Sequence, residues 1–264
     1  MLLTGLGDNA HVFDDFANQF TEKFRVIGIT RRGYGRSSQP ESGYDVPTRA
    51  LDDLRVLDAL GVDKATFVGH SMAGDELSQL GAEHPERVEK LVYLDAYDYG
   101  EHATLPQPPA PDYSDFDLQS LANFTAANVR FYGTRSPRSS LPGVYRFDAS
   151  GKVVGPVTGP EISKKIVEGS QQANFSKIQA PALAIFVPFS DSEPLLFYHY
   201  LSDEEKAEYD RVFPALITWQ RDAISRFRSG VRDAQVLELP GAPHYLYISH
   251  EGWVVWQMRK FLLP

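Results

Sequence analysis

The run from Ala65 to Ser78 constrains this chain more than any other stretch. Apolar residues through Phe67 and Val68 read as a strand, Glu76 to Arg87 carries a helical pattern, and Ser71 stands at the junction. Gly69 and Ala73 lie two positions either side of it. A sharp strand-to-helix corner leaves no room for bulk at those flanking positions, and it thrusts the serine hydroxyl outward. The same corner aims the Met72 backbone N–H, at the positive end of the helix, toward the place where an oxyanion would form. Ser71 is therefore the candidate nucleophile.

A serine nucleophile needs a base to take its proton and a carboxylate to orient that base. Of seven histidines, His244 fits best. It follows a strand, Val236 to Leu239, by the short loop Pro240 to Pro243, and an apolar stretch leading into a terminal helix comes after it. His70 sits on the constrained corner, where its ring should point away from the serine hydroxyl. His250 is next in line, and His84, His102 and His199 lack a supporting pattern.

With these features the chain resembles the α/β-hydrolase superfamily, and the resemblance runs over most of its length. Leu2 to Gly7 looks like the family's third strand and oxyanion loop, with Thr4 replacing the usual histidine, which implies Leu6 as the second backbone donor. Arg32-Gly33-Tyr34-Gly35-Arg36-Ser37 is similar to the turn after the fourth strand, although Thr30 stands where the family often has aspartate. Pro181 to Pro194 resembles the seventh strand and the loop beyond it. The implied fold is a mostly parallel twisted sheet with helices on both faces and an inserted cap.

The resemblance leaves the acid open. Asp191, with Pro194 three residues later, matches the family's acid-bearing loop, but Val187-Pro188 replaces the usual glycine and the aspartate arrives one residue late. Asp95 ends the strand Leu91 to Leu94, a position that some haloalkane-dehalogenase-like members use, and Glu193 stands behind both. The expected catalytic residues are Ser71, His244 and Asp191, with Asp95 as the alternative acid and Leu6 and Met72 at the oxyanion. Serine at the corner disfavours epoxide hydrolases and haloalkane dehalogenases, which use aspartate there. A carboxylesterase acting through an acyl-enzyme is the broadest reading. Lactonases, carbon-carbon hydrolases, perhydrolases and hydroxynitrile lyases share the same residues, and a slow small-molecule receptor on the fold is a further alternative.

Strands alternate with helices up to Asp98 and again after about Ile178, giving a core of 1–97 and 179–264 around a cap of 98–178. Pro106, Pro108, Pro109 and Pro111 mark the change, and Tyr113, Phe116, Phe124, Phe131, Tyr132, Tyr145 and Phe147 would suit an apolar lid. Phe147 to Val154 has hairpin chemistry. Val12, Phe13, Phe16 and Phe20, and Leu51, Leu54 and Leu57, fall at helical spacing. Leu201 to Arg228 reads as helix interrupted by Pro214.

A net charge of -9 argues against nucleic acid and anionic membrane partners and for a neutral or apolar substrate. The absence of cysteine excludes disulfides and thiolate sites, no histidine has metal-ligand spacing, and no cofactor is expected. No stretch approaches the roughly twenty apolar residues of a membrane span, and no signal peptide is seen, so a soluble cytoplasmic chain is expected. Met1 falls on the strand that the family usually reaches after two earlier ones. The strand Val26 to Thr30 would then be a sheet edge, a route to a homo-oligomer. One reading lies outside this class: Leu3 to Ala10 also fits strand, G-x-G-x-x-A and helix, with Arg31 and Arg32 placed for a 2′-phosphate, as in an NADP oxidoreductase.

Overall fold

Eight strands and nine helices organise the described part of the computed structural model, residues 1–100, 102–109 and 121–263. The strands are β1 (Leu2–Leu3), β2 (Gly28–Ile29), β3 (Ala65–His70), β4 (Val88–Leu94), β5 (Tyr145–Phe147), β6 (Val153–Pro156), β7 (Ala182–Phe186) and β8 (Ala234–Glu238). Six of them form one sheet in the order β2-β1-β3-β4-β7-β8, every neighbouring pair parallel. β5 and β6 pair separately as the antiparallel hairpin that the turn residues predict. The edge strand β2 pairs through two residues only, shorter than the expected Val26 to Thr30.

Strand periodicity divides the core in two. Phe67, Leu91, Tyr93, Ala182, Ala184 and Phe186 face one apolar cluster, while their neighbours Val68, Val92, Leu94, Leu183 and Ile185 face the other. A sheet buried on both faces has this near-continuous apolar sequence. The first face is covered by α2 (Val46–Ala59) and α3 (Ala73–Glu83); the second receives Phe13 and Phe16 of the segment entering and forming α1 (Asp14–Asn18). Of the three leucines at helical spacing in α2, Leu54 and Leu57 are buried, whereas Leu51 is exposed.

Between β4 and β7 lie α4 (Leu121–Tyr132), α5 (Leu141–Val144), the hairpin and α6 (Pro160–Glu168). Pro111, Tyr113 and Phe116 lie outside the described residues, as does the side chain of Phe124. Beyond β7 comes α7 (Asp203–Gly230), one uninterrupted helix with Pro214 inside it. Proline removes one intrahelical bond, and two separate packings outweigh that loss. Tyr209, Phe213 and Leu216 join Ala127 and Phe131 of α4 in a small third core, while Trp219, Ala223, Ile224 and Phe227 pack on the sheet. Ser202 and Glu205 close the N-terminus with a capping box. The small core thus draws on Phe197 and Leu201 as well as α4, so residues beyond the expected boundary at 178 pack with α4. After β8 the chain forms α8 (Leu246–Ser249) and α9 (Glu251–Leu262), whose Val254 and Met258 complete the second face.

Candidate active site

All the candidate residues stand at the carboxyl ends of the sheet strands, where open α/β sheets receive ligands. Ser71 follows β3 with φ 56°, a left-handed conformation costly for a residue with a Cβ. Its N–H donates to Leu94 O at 3.3 Å. The flanking residues are small for a measurable reason. A Cβ on Gly69 would lie 2.9 Å from both the Ala73 Cβ and Leu77 Cδ1. Gly74, one position further on, is tighter still, since a Cβ there would stand 2.2 Å from Tyr97 O. The first turn of α3 therefore lies directly on the backbone that leaves β4.

That backbone carries Asp95, also left-handed at φ 45°. Its Oδ2 accepts from His244 Nδ1 at 2.5 Å, and its Oδ1 accepts from Tyr97 Oη at 2.6 Å and Val187 N at 2.8 Å. The Asp95 side chain is almost wholly buried, and the His244 ring is 44% exposed. Asp191, the first-choice acid from sequence, is elsewhere: it is exposed and pairs with Arg221 on α7. The reason lies in the Val187-Pro188 exit from β7. Instead of delivering a carboxylate, this backbone supplies an N–H to Asp95. Glu193 is exposed on the same loop.

Gln220 clasps the arrangement from α7. Its Nε2 donates to Tyr97 Oη and to Val187 O, each at 2.9 Å, and its Oε1 accepts from Phe189 N at 2.5 Å. Gln220 is buried. A polar residue within the apolar stripe Leu216, Trp219, Ala223 and Ile224 was the signal available in the sequence. Burial together with the neighbouring Asp95 carboxylate holds the Tyr97 phenol well above its ordinary pKa, so it remains a donor.

Ser71 Oγ lies 3.5 Å from Tyr99 Oη, its hydrogen-bond contact among the described residues. Ser71, His244, Asp95, Leu6, Met72 and Tyr99 all line one cavity of about 1150 Å³. The aromatic walls include Phe131, Tyr132 and Tyr145 from the insertion and Trp219 from α7. His102 also lines it, with its ring 4.6 Å from that of Trp219. His70 is buried, and burial followed by the nearby His244 pushes its pKa well down, so the ring is neutral. Its Nε2 donates to His244 O at 3.1 Å, bracing the loop that carries the base. His250 bonds Ser249 at the surface, far from this role.

The loop bearing Leu6 is anchored from below. Arg31 donates to Thr4 O at 2.8 Å and Gly5 O at 3.1 Å while making a two-point ion pair with Glu76, at 2.6 and 2.8 Å. Although burial acts to raise it, Arg31 and Arg49 hold the Glu76 carboxyl below its usual range. Arg32 is paired with Asp52. Both arginines that the dinucleotide reading reserved for a 2′-phosphate are thus committed to carboxylates. Asp8, two residues past Leu6, is buried on the cavity wall and accepts from Tyr245 Oη at 3.1 Å. Burial pushes its pKa to about 6 against the opposing pull of Tyr245, His244 and Arg31. Among the described residues no group of three or more histidines and carboxylates is placed to hold a metal ion.

A parallel sheet, a left-handed serine at its carboxyl edge and a histidine-carboxylate pair in the same cavity define the α/β-hydrolase class. The sequence matches the family described as alpha/beta hydrolase fold over residues 1–251, and the chain belongs to that family. Among solved structures it is similar to an E-2-(acetamidomethylene)succinate hydrolase, with a TM-score of 0.66 and 18% identity over 100% of this chain and 90% of that one. A marine microorganism esterase gives a TM-score of 0.64 and 19% identity over 98% and 93%. At these identities the likeness is one of fold. A non-heme chloroperoxidase of Streptomyces lividans is 40% identical over 88 residues, 31% of this chain and 32% of its own. Matches to other curated relatives likewise span only 37% of their length.

Proposed function

We propose that this protein is a serine hydrolase that cleaves carboxylic esters of small or apolar groups through an acyl-enzyme on Ser71. The observation that carries the reading is the Asp95 carboxylate 2.5 Å from His244 Nδ1, in the cavity that Ser71 lines. An acceptor at Nδ1 keeps the imidazole proton there and leaves the Nε2 lone pair for the serine. In the first step the Ser71 hydroxyl turns from Tyr99 to His244, Oγ attacks the ester carbonyl, and the proton passes to Nε2. The Leu6 and Met72 N–H groups stabilise the oxyanion, and His244 then protonates the leaving alcohol. Water, activated by the same imidazole, opens the acyl-enzyme and frees Ser71.

The large cavity, with several aromatic rings on its wall, supports apolar acyl or alcohol groups. The esterase among the structural neighbours agrees with this reaction class, and the chloroperoxidase relative favours a second reading in which peroxide replaces water as acyl acceptor. Labelling with a fluorophosphonate, with the adduct mapped to Ser71, tests the nucleophile. A panel of p-nitrophenyl esters of graded length, with and without hydrogen peroxide, tests the reaction. Folded protein that takes no label and turns over no ester would remove the proposal.

A further inference from the structure

We infer that the cavity selects substrates by charge, accepting neutral and cationic groups and turning away those that carry a carboxylate. The turnover part of this rests on the esterase reading; the binding part does not. The titratable acids on its wall are Asp8, Asp95 and Glu193, and no lysine or arginine is among the described lining residues. Residues 101 and 110–120, which lie outside the described part, contain no lysine or arginine either. Arg31 is matched with buried Glu76 and Arg221 with Asp191, while Arg146, whose Nη2 is 3.4 Å from where a Cβ on the lining residue Gly155 would stand, is not itself a wall residue.

Asp8 is an acidic wall residue close to the nucleophile. The position that a Cβ would take on Gly5 is 3.2 Å from Ser71 Cβ and 3.4 Å from Asp8 Oδ2, so carboxylate and nucleophile flank the same glycine. Asp95 Oδ2 is turned to His244 and Oδ1 to Tyr97 and Val187, whereas the side chain of Asp8 on this wall accepts at Oδ2 from Tyr245 Oη. A carboxylate entering beside Ser71 would shed its hydration with no lysine or arginine among the described wall residues to replace it, and next to the Asp8 carboxylate. The faces of Tyr99 and Trp219, whose rings lie 5.6 Å apart on the wall, attract a cation instead.

The test uses three methyl ketones of one chain length, ending in tert-butyl, carboxylate or trimethylammonium, with binding followed at pH 8 by tryptophan fluorescence. The three matching p-nitrophenyl esters report turnover. The carboxylate ketone is expected to bind about a hundredfold more weakly than the tert-butyl ketone, and the ammonium ketone within about tenfold of it. Asp8→Asn should narrow the carboxylate gap by about tenfold. A carboxylate ketone that binds within about threefold of the neutral one would overturn the inference, whatever the esters do. The expected binding order with no ester cleaved would uphold it and strike down the esterase reading alone.

Discussion

The substitution Asp95→Asn should abolish the proposed ester hydrolysis while leaving the architecture in place. The carbonyl oxygen of the introduced amide can still accept from Tyr97 Oη and Val187 N, the two bonds that Asp95 Oδ1 makes now. The change falls on the other side, where Asp95 Oδ2 accepts from His244 Nδ1. An amide NH₂ there donates, so the imidazole must present a bare Nδ1 and carry its proton on Nε2. That nitrogen is then a donor and cannot take the hydroxyl proton of Ser71 in the proposed mechanism. The loss expected for a wrong tautomer is about 10⁴ in kcat, or roughly 5 kcal/mol of transition-state stabilisation. KM should change little, because Asp95 is behind the imidazole. Asp191→Asn breaks only an exposed pair with Arg221 and should leave kcat within about twofold. The assay is p-nitrophenyl ester hydrolysis for both variants, with circular dichroism and thermal melting to verify folding. A folded Asp95→Asn protein retaining more than about a tenth of wild-type kcat would refute the tautomer argument, as would a loss above about a hundredfold in Asp191→Asn.

Other expectations follow from the same geometry. Tyr97→Phe removes one of the bonds to Asp95, and Gln220→Leu removes the clasp on Tyr97 and Val187. Each should lower kcat about tenfold with KM nearly unchanged and move the acid limb of the pH profile, which a purely structural loss would not do. Tyr99→Phe deletes the hydroxyl 3.5 Å from Ser71 Oγ and should change kcat/KM by about two- to tenfold, measured with the same esters. Gly74→Ala drives a methyl into Tyr97 O, so urea denaturation should show a loss of about 3 kcal/mol or more. Asp8 has a folded-state pKa of about 6, above its ordinary 3.8, so the native protein binds its proton more tightly. Its contribution to stability is then full below about pH 4 and is lost as pH rises to about 6, an amount near 3 kcal/mol. The stability difference between wild type and Asp8→Asn should change by that amount over this range, and a difference independent of pH would contradict it.

The short-range rules of the chain were enough for the sheet, the corner and the placing of His244 on the loop after β8. Ser71 between Gly69 and Ala73 is a steric statement about neighbours two residues apart, and strand alternation at Phe67 and Val68 is a statement of period two. Both are legible because the atoms that clash or pack are close in sequence. Helical continuity through Pro214 was not legible, since the compensating contacts come from α4 on one side and the sheet on the other. Nor was the carboxylate partner of His244. Asp95 and Asp191 each follow a strand and each stand at the sheet's carboxyl edge, so local pattern could not separate them. The choice was made by Val187 N–H, Tyr97 and Gln220, contributed from the β7 exit, the β4 exit and α7, positions up to 125 residues from Asp95 along the chain. A buried carboxylate is satisfied only where several donors converge, and that convergence is a property of the folded chain.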